Sequence, residues 1–208
     1  MNASRATTVG TTLAGIALLA SAHAAFAADL ALDVHDAAGR PVAHAVVYAQ
    51  PAAGTVPPPP HGARAIIDQV NKEFVPRVSI VQAGTQVFFP NSDNIRHSIY
   101  SFSAAKTFTT KLYSGREAAP VLFDKTGLVV LGCNIHDTMV AWVFIVDTPW
   151  FASTGADGLA TLRALPNGEY TITVAAPSDK LKTRDLHVMV DGAAGGTVRL
   201  PVSLEAGS

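Results

Sequence analysis

The chain has 208 residues, enough for one or two domains, with 15% charged residues and a formal net charge of −1. This balance gives no indication of a nucleic-acid partner, which would need a basic patch. A single cysteine excludes an intramolecular disulfide.

The first 27 residues have the three parts of a secretory signal peptide. Arg5 is the positive region, residues 13–25 are rich in Ala and Leu, and Ala25-Phe26-Ala27 supplies small residues where a signal peptidase reads. The apolar run is shorter than the roughly 20 residues that cross a bilayer, so a membrane anchor is the weaker interpretation. We therefore predict an exported, periplasmic protein, cleaved after Ala27, with no membrane span after cleavage.

Short runs with strand composition follow one another along the rest of the chain. Residues 28–52 hold two of them, and the Pro-rich segment 53–64 predicts a stiff linker. Between residues 65 and 150 the predicted strands are 74–81, 86–89, 97–102, 107–113, 120–123, 128–131 and 140–146. No amphipathic helix is indicated, and closely spaced short strands predict an all-β sandwich.

The last part of the chain, residues 153–204, holds four more short alternating runs. Short strands need partners to bury their apolar face, and the two runs before the Pro-rich segment also lack partners. We therefore predict that 28–52 and 153–204 fold together as a second, small and discontinuous sandwich. The unit 65–150 is inserted between them, as an exposed loop tolerates.

One short loop between two predicted strands carries Cys133, His136 and Met139. At Cys-x2-His-x2-Met spacing, a thiol, an imidazole and a thioether can converge on one ion. Soft sulfur with imidazole suits copper, and two His, one Cys and a long axial Met form the electron-transfer copper geometry. A lone cysteine in an exported protein is a free thiol, an intermolecular link or a metal ligand, and these neighbours favour the ligand. A buried, inert cysteine is the alternative.

The loop lacks one ligand, and His97 is the candidate for it. Of the seven histidines, His97 alone shares the inserted unit with His136, at the start of a predicted strand. A sandwich can bring its loop beside the Cys133 loop, although a structural histidine is the alternative. The predicted cofactor is one type 1 copper ion, because methionine is a poor ligand for the alternative, zinc.

The unit 65–150 resembles a cupredoxin, through Gly84-Thr85, the Asn91-x5-His97 loop and the Cys133 loop, which is similar to that of amicyanin. More closely, Phe89-Pro90-Asn91, Tyr100–Ser103, Gly132–Asp137 and Asp147-Thr148-Pro149 are similar to segments of exported methylamine utilisation proteins. Ser98 stands where members of that family often carry a second histidine. The flanking parts resemble carboxypeptidase-regulatory-like, or prealbumin-like, β-sandwiches through residues 36–41 and 165–170.

The cupredoxin resemblance implies a Greek-key sandwich and a role for each site residue. Cys133 binds as thiolate, His97 and His136 complete the trigonal plane, and Met139 is the weak axial ligand. Asn91 bridges the two ligand loops by hydrogen bonds and so fixes their geometry.

The function this implies is a non-enzymatic carrier of single electrons between periplasmic partners, such as a dehydrogenase and a c-type cytochrome. A copper-binding or copper-delivery protein without a redox shuttle is the alternative. An enzyme is the weaker interpretation, because the further His clusters of a second copper site are missing from the sequence. A purely structural sandwich with a vestigial loop also stays open, and the sequence predicts no oligomeric state.

Overall fold

A computed structural model describes residues 27–115, 119–177, 180–192 and 198–207. The secondary structure of these residues is β-strand without α-helix, which confirms the predicted all-β class. No helix among them is long and apolar enough to cross a bilayer. The predicted signal peptide lies outside the described residues except for Ala27, which begins the first strand.

Seventeen strands occur in the described part of the chain, most of them short. They are β1 Ala27–Asp36, β2 Val46–Pro51, β3 Arg64–Ile66, β4 Asp68–Val70, β5 Glu73–Val75, β6 Val78–Gln82, β7 Thr85–Phe88, β8 Ile99–Ser103, β9 Lys106–Thr109, β10 Val121–Phe123, β11 Gly127–Cys133, β12 Val140–Val146, β13 Phe151–Ser153, β14 Leu159–Pro166, β15 Gly168–Ala175, β16 Arg184–Val190 and β17 Val198–Leu204.

The beginning and the end of the chain share two sheets and one core. One sheet has the order β14-β1-β17, with β1 antiparallel to β14 and parallel to β17, and the other has the order β13-β2-β15-β16. Alternate residues of β1, namely Leu30, Leu32 and Val34, are buried between the sheets, as the side-chain period of two requires.

The middle of the chain forms a second core. A five-stranded sheet, β6-β12-β11-β8-β9, and a three-stranded sheet, β10-β7-β3, enclose it, and β4 and β5 form a separate hairpin. Phe89, Phe108 and Phe123 pack against one another there, with ring centroids 5.8 to 6.3 Å apart. Cys133 and Met139 belong to the same core, so the sheets bury the predicted sulfur ligands.

The two cores meet through a small apolar contact. Val46 and Ala175 from one part pack with Phe144 on the outward face of β12, and Trp142 lies beside them. The guanidinium of Arg77 lies over the Trp142 ring, 5.2 Å from its centroid. The domain boundaries proposed from the sequence, 28–52 with 153–204 and 65–150, stay a prediction.

The Pro-rich segment 53–64 is held against the middle of the chain. The Gln82 side-chain amide donates to the Pro57 carbonyl at 2.6 Å, and Arg64 at its end already pairs with β7. This segment therefore does more than space two units, because one of its carbonyls is bonded to β6.

Several predicted strands have different limits in the structure. The predicted strand 74–81 is divided into β5 and β6, because Pro76 between them has no amide hydrogen for a ladder. The predicted strand 97–102 begins only at Ile99, and 107–113 ends at Thr109. His97 instead makes a single antiparallel bridge with Tyr113, which fixes its backbone on both sides.

Candidate metal centre

Three candidate ligands converge at one end of the five-stranded sheet. Cys133 is the last residue of β11 and pairs with Ile99 of β8, two residues after His97. His136 lies in the short connection from β11 to β12. The Cys133 sulfur and one ring nitrogen from each histidine all lie within 4.8 Å of one another. Within the described residues, this is the group of His, Cys, Asp and Glu side chains whose geometry suits a metal ion.

His97 and Cys133 form the buried side of the group. His97 is fully buried, Cys133 is 4% exposed, and 3.6 Å separate His97 Nδ1 from Cys133 Sγ. Cys133 is a free thiol. An imidazole nitrogen and a thiol sulfur of two almost fully buried residues therefore face each other.

His136 provides the test of whether a metal fits. Its ring lies 5.1 Å from the His97 ring, edge to face, and its Nδ1 is buried without a hydrogen-bond partner. A buried polar atom without a partner is destabilising by about 1–3 kcal/mol. A metal ion bonded to Nδ1 would satisfy this nitrogen, so the residues present fit a metal bound by nitrogen and sulfur.

Met139 lies beneath the loop. It is 1% exposed and packs in the same core as Cys133, and its amide donates to the His136 carbonyl at 3.1 Å. This bond tightens the turn between the two residues. The axial role of Met139 stays a prediction.

Sequence reasoning missed Asp93, four residues before His97. Its Oδ2 lies 2.7 Å from His97 Nε2, and the carboxylate also accepts hydrogen bonds from the amides of Asn71 and Lys72. Burial acts to raise the pKa of Asp93, but the bonds from the Lys72 amide, the His97 ring and the Asn71 amide outweigh it, so this pKa is lowered. The only signal in the sequence was an acidic side chain in a polar loop.

Asn91 organises the His97 loop, and within the described part of the chain its side-chain hydrogen bonds do not reach the Cys133 loop, so the predicted bridge is corrected. Its side-chain amide donates to the Ile95 and Tyr113 carbonyls, both at 2.9 Å, and its oxygen accepts from the Asp93 amide at 3.0 Å. Each of these bonds stays within the His97 loop or ties it to Tyr113. A side chain this short satisfies its own loop first, as Asn commonly does in turns.

Ser98 and Asn134 form the hydrogen bonds between the two ligand loops that the sequence analysis assigned to Asn91. The Asn134 amide donates to the Ser98 carbonyl, and the Asn134 side chain donates to the Ser98 hydroxyl, both at 3.0 Å. The same hydroxyl donates to the Thr110 carbonyl at 2.9 Å. Ser98 therefore holds the residue after Cys133 against the strand that follows His97.

No family model matches the sequence, and no curated protein matches it. Among solved structures, a Cu-containing nitrite reductase (NirK) from Thermus scotoductus SA-01 is 26% identical over 46% of this chain and 25% of its own, with a TM-score of 0.37. A purple cupredoxin from Nitrosopumilus maritimus is 22% identical over 40% of this chain and 98% of its own, with a TM-score of 0.35. A reduced amicyanin variant is 16% identical over 47% of this chain and 98% of its own, with a TM-score of 0.36.

These alignments each cover less than half of this chain, and the chain spans a quarter of the nitrite reductase. The solved structures similar to this all-β protein thus include cupredoxins. The resemblance of the sequence to methylamine utilisation proteins, and of its flanking parts to a carboxypeptidase-regulatory-like sandwich, stays a prediction.

Proposed function

We propose that this protein is an exported type 1 copper protein that carries single electrons between periplasmic redox partners. The observation that supports the proposal is the convergence of one thiol sulfur and two imidazole nitrogens within 4.8 Å. Cys133, His97 and His136 would hold one copper ion, with Met139 as the weak axial ligand. Copper, when bound, supplies a one-electron couple.

The surroundings of the ligands suit electron transfer because hydrogen bonds hold the ligands in place. His97 is held by Asp93 at its ring and by Tyr113 at its backbone, and the Cys133 loop is tied to Ser98. Ligands held in this way move little between two oxidation states, which favours fast exchange of electrons.

His136 is the ligand we assign to contact with redox partners. Its ring is half-exposed while its Nδ1 is buried, and the neighbouring Ile135 is 53% exposed. A dehydrogenase or a c-type cytochrome could approach this edge without displacing a buried group. Export rests on the signal peptide predicted for residues 1–27, and the absence of an enzymatic activity is part of the proposal.

Copper delivery without an electron shuttle is the alternative, and burial argues against it. A carrier that exchanges its metal needs ligands that a recipient can reach, whereas His97 and Cys133 are 0% and 4% exposed. Only His136 has an exposed edge. This distribution favours a resident ion over a transferred one.

One experiment separates these two functions. The copper-loaded protein would be cycled between reduced and oxidised forms with a small redox dye and mixed with a Cu(I) chelator. For an electron carrier we expect repeated reversible cycles and slow loss of copper to the chelator. Rapid and complete transfer of copper, without reversible cycling, would contradict electron transport and favour delivery.

Substitution of Met139 is expected to change the reduction potential while copper stays bound. Met139→Leu removes the thioether at similar volume, costing less than about 1.5 kcal/mol of stability. We expect the reduction potential to rise in Met139→Leu, because oxidised copper loses a donor. We expect it to fall in Met139→Gln, because the amide oxygen favours oxidised copper. A tenfold change in relative affinity for the two oxidation states corresponds to about 59 mV, measured by voltammetry.

Met189→Leu is the matched control, because Met189 lies on β16 and is 69% exposed. It should leave the potential unchanged. Equal reduction potentials for the wild type, Met139→Leu and Met139→Gln would mean that Met139 is not an axial ligand.

A further inference from the structure

The Asp93 carboxylate joins a candidate ligand to a hairpin elsewhere in the middle of the chain. Its Oδ1 accepts from the Asn71 amide at 2.6 Å, and its Oδ2 accepts from the Lys72 amide at 2.9 Å. The same Oδ2 lies 2.7 Å from Nε2 of His97. The side chain of Asp93 is 10% exposed, so water has little access to these bonds.

The two amides point at Asp93 because of the turn that carries them. Val70 pairs with Glu73, which leaves Asn71 and Lys72 as the two-residue connection between β4 and β5. Both have positive φ, 53° and 62°, as in a type I′ hairpin turn. The turn therefore presents two neighbouring amide hydrogens on one side, where a carboxylate can accept both.

These contacts determine which nitrogen of His97 carries the hydrogen. A backbone amide can only donate, so Asp93 must meet the turn as an acceptor, which its ionised carboxylate does through both oxygens. The His97 Nε2 that meets Oδ2 must then donate as well. In a neutral imidazole the other nitrogen, Nδ1, has a free lone pair, and that nitrogen faces Cys133 Sγ at 3.6 Å.

We propose that Asp93 is a positioning residue that keeps His97 in its Nε2–H tautomer and thereby directs the free Nδ1 lone pair into the candidate metal centre. The turn at Asn71 and Lys72 fixes the carboxylate, the carboxylate fixes the imidazole, and the imidazole is fixed before any metal arrives. The expected effect on copper affinity rests on the proposed function, whereas the assignment of the His97 tautomer does not.

Asp68 offers a matched comparison within the same hairpin and loop. Its carboxylate accepts from the Gln69 amide at 2.7 Å and from the Ser92 amide and hydroxyl at 3.2 and 2.7 Å. These bonds also connect β4 to the loop before His97, yet they end at Ser92. A variant of Asp68 thus disturbs the same region without touching the imidazole.

The test is the tautomer of His97 in metal-free, 15N-labelled protein at neutral pH, read from long-range 1H–15N correlations of the imidazole. The wild type should show a protonated Nε2 and an unprotonated Nδ1. In Asp93→Ala the Nδ1–H form should become populated, since Nε2 has lost its acceptor. Asp93→Asn keeps the shape of the side chain, but its NH2 can donate to Nε2, so it should also populate the Nδ1–H form and still fold. Asp68→Asn should leave the tautomer unchanged.

Copper affinity, measured by competition with a chelator, is the second readout. Loss of an outer partner of a metal-binding histidine typically costs 10–100-fold in affinity, and we expect that loss for the two Asp93 variants but not for Asp68→Asn. An unchanged tautomer in folded Asp93→Ala and Asp93→Asn would overturn the inference. So would a loss of affinity in Asp68→Asn equal to that in Asp93→Ala. Failure of the wild type to bind copper, with an Asp93-dependent tautomer, would overturn the proposed function and support this inference.

Discussion

Replacing Cys133 by serine is expected to remove the proposed type 1 copper site completely. The intense visible band of a type 1 site arises from charge transfer between a thiolate and copper, and Cys133 supplies the only thiol in the chain. A serine hydroxyl is a hard and weakly acidic group, so it neither binds as an anion at neutral pH nor gives that transition. The measurement is the visible absorption of the copper-loaded variant, with expected loss of the whole band.

The fold should survive this substitution, which keeps the result interpretable. Serine is close to cysteine in size, and His97 Nδ1 lies 3.6 Å from the sulfur. In the Nε2–H tautomer proposed above, this nitrogen would accept a hydrogen bond from the serine hydroxyl. His187→Ala is the control, because His187 lies exposed on β16, outside the group of ligands. An intense blue or green colour retained in Cys133→Ser would contradict the assignment of the site.

Glycine substitutions at the two histidines are expected to differ in whether added imidazole restores the site. Both should lose the type 1 spectrum, since each removes a ligand. His136→Gly leaves a hole that opens to solvent, because the His136 ring is half-exposed, so free imidazole can enter and bind. His97→Gly leaves a hole inside the protein, because His97 is 0% exposed, and also leaves Asp93 without its ring partner.

Titration of each variant with copper and imidazole, followed by absorption, checks this difference. We expect recovery of most of the band in His136→Gly and at least tenfold less in His97→Gly. His44→Gly is the control, because His44 is exposed and already has positive φ, 58°, which glycine adopts without strain. Equal rescue at both ligand positions would mean that the assigned buried and exposed sides are wrong.

The sequence predicted the parts of the site that depend on local spacing. Cys133, His136 and Met139 lie within one short loop, so any strand–loop–strand arrangement brings them near one another. His97 is 36 residues away from Cys133. The sequence pointed to it because it stands at the start of a predicted strand in the same unit, although the strand in the structure begins at Ile99. The structure brings its ring to the sulfur through the pairing of β8 with β11.

What the sequence missed depends on tertiary geometry. The contact between Asp93 and the Asn71–Lys72 turn requires a hairpin of β4 and β5, which have three residues each. The sequence predicted no strand at β4, and it included β5 in the longer predicted strand 74–81. Asn91 was assigned the bridge between loops, but Ser98 and Asn134 form it. Spacing along the chain cannot tell which of several short polar side chains in a loop reaches across to its neighbour.

The strand limits that differed have a similar origin. The predicted strand 107–113 ends at Thr109, because Thr110 and Tyr113 bond to Ile99 and His97 across the site and leave the regular ladder. Residues 110–113, which have strand propensity, thus form hydrogen bonds that hold the His97 loop instead of continuing β9. Local preference gave way to the contacts of the candidate metal centre.

The most direct test of a type 1 copper site is the visible absorption and electron paramagnetic resonance spectrum of the protein without residues 1–27 after addition of Cu(II). We predict an intense thiolate-to-copper band together with a narrow copper hyperfine splitting, which would assign a type 1 site to His97, Cys133 and His136. Weak absorption with the wide hyperfine splitting of ordinary tetragonal copper would contradict it.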